Sequence, residues 1–377
     1  MRETERSQKM NKGKIRVGVI GAGAISDIYL TNMTGMFSDR LQVTRIAARR
    51  LENARKKAEQ YGLTACTTEE LLAAPDVDLA VILTPVGTHG TLIRQALEAG
   101  KHVYTEKTLT DDLEEAAALV KLAREKGLYL ASAPDTFLGS ALQTARKAVD
   151  EGLLGEIHSF AVSANRNNDV LLSLFAFLRQ PGAGIIYDYA VYYMTALVSL
   201  LGPVARVGSI IGHPYPSHVN ILPQSPDYGK TMDTPNESQI SAVIQLRSGV
   251  TGTFHIDADC NLQDQAYFTL YGTKGILYLS DANQFGGSVR YLPDMNLETR
   301  EPGEMKELEP FPRYQENARG VGPWDLAGAI REGRPCRASG EMAYHVMEAL
   351  TAMLLGGEEG AFRDIQSTCD RPAPWGE

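Results

Sequence analysis

From residue 15 to about 133 the hydrophobic positions fall in short unbroken runs separated by longer stretches of helical period. The run 14–20, KIRVGVI, places Ile15, Val17, Val19 and Ile20 as a strand buried on both faces, the kind that fills the middle of a parallel sheet. Further strands are predicted at 41–48, 77–83, 102–105 and 128–132, with helices at 49–60, 69–73, 111–126 and over His89 and 92–99 between them. Strand and helix alternating in this way predict a doubly wound parallel sheet covered on both faces, with ligands at the carboxyl ends of its strands.

After Ala133-Pro134 the pattern changes. Helices are predicted at 137–152 and 185–201, with a strand at 156–163 between them. From 205 the chain is β-rich, with strands at 207–212, 239–247, 249–257, 265–271, 275–279 and 289–292. Ser248-Gly249 and Gly272-Thr273-Lys274-Gly275 stand where hairpin turns are needed. Two helices, 323–332 and 340–355, close the pattern. The chain thus reads as a polar, disordered lead-in over 1–13, a dinucleotide-binding domain over 14–133, and an α+β substrate and assembly domain over 134–377 built on one broad, mainly antiparallel open sheet. Alternation in 268–271 and 276–279 predicts an apolar sheet face wider than the few helices nearby can cover, hence a homodimer or homotetramer.

Chemistry enters at the strand ends. Gly21 and Gly23 allow a tight turn after the first strand, and Ala24 and Ile25 open a helix whose free amides suit a pyrophosphate. Ser26 stands where a third glycine is often found. The second strand ends in Ala48-Arg49-Arg50, with no carboxylate for ribose hydroxyls and two guanidinium groups that suit a 2′-phosphate, so NADP is favoured and NAD is the alternative. Thr84-Pro85 and Glu106-Lys107 also fall at strand ends, so three segments converge on one edge.

Lys107 follows a buried strand, where low-dielectric walls and a cationic nicotinamide would lower its pKa and suit it to proton transfer. Glu106 can bind the nicotinamide ribose or pair with Lys107. Asp188 and Tyr192 share a face of the 185–201 helix, and Gly182 and Gly184 would let that helix approach a ligand closely. The same helix equally suits plain packing of Tyr187, Tyr189, Tyr192 and Tyr193. The polar loop 165–169, with Asn165 and Arg166, and the segment 214–234 are expected to shape a substrate pocket.

Composition narrows the class. The 377 residues are 44% hydrophobic and 22% charged, with a net charge of −9 that argues against nucleic acid or an anionic membrane as partner. No apolar run approaches the roughly 18 residues of a membrane span. Cys66, Cys260, Cys336 and Cys369 show neither metal nor redox spacing, which suits a reducing cytoplasm.

The segments GAGAIS, TPVGTHGTLIRQALEAGKHVYTEKT, GAGIIYDYAVYYMTALVSLLG and DLAGAIREGRPCRASGEMAYHVMEAL resemble the Gfo/Idh/MocA oxidoreductases, named for glucose–fructose oxidoreductase and inositol dehydrogenase. The resemblance spans about 15–360. It implies a nicotinamide-dependent enzyme that moves a hydride to or from a secondary alcohol or ketone of a sugar, polyol or related ring. By it Lys107 is the family lysine, Glu106 its acidic neighbour, His89 a histidine framing the nicotinamide pocket, and Asp188 the aspartate of the substrate helix. Thr108 replaces the usual proline of Glu-Lys-Pro, and Tyr192 replaces the usual histidine, as in some sugar-oxidising and ketosugar-reducing branches. Lys107 and Tyr192 are then expected to act on one substrate oxygen. The family also contains glycosidases that retain NAD and act by transient oxidation and elimination, and non-catalytic nicotinamide-sensing regulators.

Overall fold

The computed structural model describes residues 13–180, 183–261, 265–301 and 303–375. The lead-in expected over 1–13 lies outside them apart from Gly13, as does Gly182. The backbone divides into two units, Met1–Asp135 with Asn317–Tyr344 and Thr136–Glu316 with His345–Glu377.

In the first unit β1 (Ile15–Ile20), α1 (Ile25–Thr34), β2 (Leu41–Ala47), α2 (Leu51–Tyr61), β3 (Thr64–Cys66), α3 (Thr68–Ala73), β4 (Leu79–Ile82), α4 (His89–Glu98), β5 (His102–Thr105), α5 (Leu113–Glu125) and β6 (Leu130–Ser132) follow in order. The six strands form one sheet in the order β3-β2-β1-β4-β5-β6, every pair parallel. Ile15, Val17, Val19 and Ile20 are all buried, as continuous apolar strands flanked by helices must be. The short edge strand β3 is absent from the sequence expectation, because three residues carry no readable period.

In the second unit come α6 (Ser140–Asp150), β7 (Ile157–Asn165), α7 (Asn168–Leu174), a π-helical turn (Ile186–Ala190), α8 (Val191–Leu201), β8 (Val204–Gly212), β9 (Ser217–Val219), β10 (Thr231–Asp233), β11 (Gln239–Leu246), β12 (Thr251–Asp257), β13 (Gln265–Gly272), β14 (Gly275–Leu279), β15 (Val289–Pro293) and β16 (Lys306–Glu307). α9 (Val321–Glu332), α10 (Gly340–Glu359) and β17 (Arg363–Asp364) complete the chain. The large sheet has nine strands in the order β16-β15-β14-β13-β7-β12-β11-β8-β17. It is antiparallel except where β7 enters its middle and pairs in parallel with β12.

Residues 317–344, expected in the second domain, group with the first unit. Asn32 donates to the carbonyls of Asn317 and Arg319 at 3.0 and 2.8 Å, and the buried Asp135 carboxylate accepts the amides of Gly320 and Gly322 at 3.2 and 3.0 Å. The Trp324 indole donates to Asp39 at 2.8 Å and lies 3.9 Å from the Arg40 guanidinium. These contacts join residues 185 to 287 positions apart, and hydrophobic period cannot announce them.

The sheet face expected to be open is the covered one. Phe268, Leu270, Leu277 and Leu279 share a face with Phe160, Val162 and Phe254, and all seven are buried. Helices of the same unit reach this face: α6 packs on β14 and β15, and the Ser209 hydroxyl of β8 donates to the Met353 carbonyl of α10. The opposite face carries Ser241, His255, Ser163 and Tyr267 in one row across β11, β12, β7 and β13, with Ile210 of β8 beside Ser241. It is serine- and threonine-rich, with Ile210, Val243 and Tyr267 exposed. Among the described residues no helix is long and apolar enough to cross a membrane.

His345 of α10 is wholly buried, its Nε2 accepting the Val204 amide at 2.9 Å while Nδ1 meets the Ser367 hydroxyl at 2.9 Å. A protonated ring cannot accept that amide, and burial drives its pKa down to about 4. The unfolded chain takes up this proton near pH 6.5 and the folded chain refuses it, so stability is complete above that pH and falls as pH drops toward 4. The loss reaches about 3 kcal/mol. Urea midpoints at pH 7, 6 and 5 should fall more steeply for the wild type than for His345→Gln, which keeps an acceptor and does not titrate. Parallel slopes for the two proteins would refute the linkage.

Candidate active site

In the first unit the site is built from strand ends. β1, β4 and β5 are parallel neighbours, so their exits share an edge. Backbone bonds align them: Leu83 N to Ile20 O at 2.8 Å and Glu106 N to Ile82 O at 2.9 Å. Gly21, at φ +118°, rests on the chain leaving β4, where an added Cβ would lie 2.6 Å from the Leu83 carbonyl oxygen. Gly23 is different, with nothing within 4 Å of the space a Cβ would take. Gly23, Ala24 and Ile25 are exposed, and the buried Ser26 turns its hydroxyl back onto the Gly23 carbonyl at 2.6 Å. An open first helical turn with room over Gly23 fits a dinucleotide pyrophosphate. Arg49 and Arg50 are exposed at the end of β2, where the ribose carrying the 2′-oxygen would lie.

Around Lys107 the turn is held by polar bonds. Glu106 accepts the Tyr29 hydroxyl at 2.7 Å and the Lys107 amide at 3.1 Å, so both carboxylate oxygens are engaged inside the unit. The Lys107–Thr108 peptide is cis, without the proline that the resemblance leads one to expect. Thr108 bonds through its hydroxyl to the Thr110 carbonyl at 2.9 Å. His89, wholly buried, brings Nδ1 to the Thr108 carbonyl and Nε2 to the Thr84 carbonyl, each at 2.8 Å. It therefore ties the turn after β5 to the turn after β4. Burial lowers its pKa, although two carbonyl acceptors oppose that shift. Thr84 is further tied to the Thr88 hydroxyl at 2.7 Å, which also donates to the Pro85 carbonyl at 2.8 Å.

In the second unit the tyrosine-rich helix begins with the π-helical turn Ile186–Ala190, a geometry that recurs at functional sites. Burial sorts its side chains. Tyr189 and Tyr193 are buried at 3% and 0% exposure, while Asp188 and Tyr192 stay partly exposed. The Tyr193 hydroxyl donates to Asp281 at 2.5 Å and meets the Tyr189 hydroxyl at 2.7 Å. Burial pushes both phenols far above their ordinary range. Tyr189 and Tyr193 are thus turned inward, while Tyr187 and Tyr192 are partly exposed, with the Tyr187 hydroxyl 3.0 Å from that of Thr351.

Arg166, expected to contact substrate, is 8% exposed, with its guanidinium 3.9 Å from the Tyr189 ring centre and 3.9 Å from Asp281. It sits inside the network that supports the helix. Asn165 ends β7 with its amide 3.6 Å from the Cys260 sulfur, so the expected loop 165–169 is a strand end followed by the start of α7. A small recess borders Asp188. It is walled by α7, the Gly184 turn and residues 234–237, and it includes Thr234, the last residue of the segment expected to shape a pocket. Glu237 was not singled out by the sequence. Its only local signal is an acidic residue just ahead of β11.

The division among the tyrosines has a measurable consequence. Tyr193→Phe leaves the Asp281 carboxylate without its hydroxyl donor and should cost about 1–3 kcal/mol of stability. Tyr192→Phe, at a partly exposed position, should stay within about 0.5 kcal/mol of wild type. Urea unfolding of both variants checks this, and equal losses would refute the assignment.

Residues 15–133 match the model of the oxidoreductase family with an NAD-binding Rossmann fold, and 142–278 match the GFO/IDH/MocA C-terminal domain. Over 207 residues the chain is 34% identical to the dTDP-3,4-didehydro-2,6-dideoxy-alpha-D-glucose 3-reductase of Streptomyces violaceoruber, a match covering 53% of this chain and 58% of that protein. The enzyme of the same name from Actinomadura kijaniata is 27% identical over 84% of this chain and 90% of its own. Among solved structures, levoglucosan dehydrogenase in complex with NADH and L-sorbose superimposes with a TM-score of 0.82 at 19% identity, over 94% of this chain and 99% of that one. The two family models follow one another in the order of the two halves of the sequence, and together they account for most of it: this chain belongs to the Gfo/Idh/MocA oxidoreductase family.

Proposed function

We propose that the protein is an NADP-dependent oxidoreductase that interconverts a secondary alcohol and a ketone on a sugar, polyol or related ring. The observation that carries this reading is the sorting of side chains at the π-helical turn, which keeps Asp188 and Tyr192 partly exposed while Tyr189 and Tyr193 are buried. The names of the relatives, reductases and dehydrogenases of sugars, support the same class of substrate. Bound nicotinamide supplies or accepts the hydride. Gly21, Gly23, Ala24 and Ile25 hold its pyrophosphate side, and Thr84, Pro85, His89 and Glu106 frame the turns nearer the reacting ring. Tyr192 gives or takes the proton of the substrate oxygen, Lys107 supplies a positive charge that favours the oxyanion, and Asp188 orients a substrate hydroxyl.

The cofactor preference rests on Arg49 and Arg50, exposed and without a carboxylate partner in the hydrogen bonds and ion pairs of the described residues. Among the described residues Cys66, Cys260, Cys336 and Cys369 form no disulfide, which fits a reducing cytoplasm.

A panel of sugars, polyols and ketosugars with both cofactors, followed at the reduced-nicotinamide band, tests the reading. Lys107→Ala and Tyr192→Phe should each lower turnover on the order of a hundredfold, with cofactor affinity within a few fold of wild type. Arg49→Asp should weaken NADP and spare NAD. Full turnover in Tyr192→Phe would remove the phenol from the chemistry, and equal affinity of the wild type for both cofactors would end the NADP preference.

We further propose a homodimer or homotetramer joined through the uncovered sheet face, where Ile210, Val243 and Tyr267 are 75%, 48% and 63% exposed among small polar residues. Light scattering at micromolar concentration should give a multiple of the chain mass, and Val243→Glu should lower it. A monomer mass for the wild type contradicts the proposal.

A further inference from the structure

The glycine-led start of the tyrosine helix was expected to make room for a ligand; the room is taken by a side chain of the same unit. A Cβ on Gly184 would collide with the carboxylate of Glu237, which comes from the segment just before β11 and crosses under the turn. Glu237 Oε1 accepts the Ile186 amide at 3.1 Å, two residues before Asp188. One hydrogen bond thus fixes this second carboxylate against the turn that carries the first.

Both acids border the pocket described above. Asn168 and Thr234 add an amide and a hydroxyl to its polar side, and Leu171 and Leu178 form an apolar side. Among the described residues that line it, none is basic. Two carboxyl groups, the amides of Asn168 and Asn236 and a hydroxyl facing an aliphatic wall suit a sugar substituent, whose C–H surface is apolar and whose hydroxyls need acceptors. A phosphate or carboxylate there would meet two acids and no cation.

We propose that Glu237 is a specificity residue of the substrate site, which with Asp188 receives an uncharged hydroxyl-bearing substituent of the substrate and rejects an anionic one. The proposal rests on the sugar oxidoreductase reading above. Burial raises the Glu237 pKa against the lowering effect of the hydrogen bond from the Ile186 amide, and Glu358 of α10 adds a smaller rise.

The competing role is a helix cap and nothing more, and Glu237→Gln separates the two. Glutamine keeps an oxygen for the Ile186 amide and loses the charge. Using the panel sugar that the wild type turns over fastest, Glu237→Gln should raise KM at least about tenfold with kcat within about threefold and an unchanged melting temperature. Gly184→Ala, whose methyl displaces the same carboxylate, should give the same rise in KM. In competition assays, D-glucose 6-phosphate and D-glucuronate should inhibit the wild type more weakly than D-glucose does, and the glutamine variant should narrow that gap. A wild-type KM in both variants overturns the proposal and leaves the oxidoreductase reading standing. Absence of turnover with every panel compound removes that reading, and the specificity assignment with it.

Discussion

The turn after β1 lies directly on the backbone leaving β4, and no side chain fits between them. The position is held by Gly21, at φ +118° and with the Leu83 carbonyl oxygen 2.6 Å from where a Cβ would be. Much of the first unit's chemistry follows from that contact. With the turn pressed down at Gly21, the chain rises at Gly23 into open space, and Gly23, Ala24 and Ile25 are left exposed at the start of α1. Since β1, β4 and β5 are zipped by backbone bonds up to their last residues, the positions of Thr84, Glu106 and Lys107 are set by the sheet ladder. His89 then links the two following turns through their carbonyls, so these segments share one polar support as well as one edge.

The second unit solves a different problem, that of keeping a few polar groups accessible on a helix that is otherwise core. From Val191 to Leu201 nearly every residue is buried. Buried phenols are costly unless bonded, and here Tyr189, Tyr193, Asp281 and Arg166 satisfy one another. With those residues committed inward, the π-helical turn leaves Asp188 and Tyr192 on the accessible side. Glu237 anchors the start of the same turn from across the fold, its carboxylate occupying the space a Cβ on Gly184 would take.

Patterns carried by neighbouring residues were legible without coordinates. The βαβ rhythm, the glycine turn, Lys107 at the end of β5, and the hairpin run from β11 to β15 all follow from local period and turn chemistry, and the structure has them within a few residues. The family segments likewise pointed to Asp188 and Tyr192. Decisions involving distant partners were not legible. The alternating residues of β13 and β14 said that one face is apolar, but could not say that helices α6 and α10 of the same unit reach it.

The amino-acid sequence by itself determined the two kinds of sheet, the order of their elements and the residue types at the strand ends, because backbone period and backbone stereochemistry act within a few residues. Tertiary structure alone decided that 317–344 joins the first unit, that β7 enters the middle of the large sheet beside β12, that Arg166 is a buried support, and which tyrosines face inward. It also brought Glu237 under Gly184 beside Asp188. Each of these depends on which surfaces meet when the chain closes on itself, and a helix with four tyrosines carries no local mark of the side that will be covered.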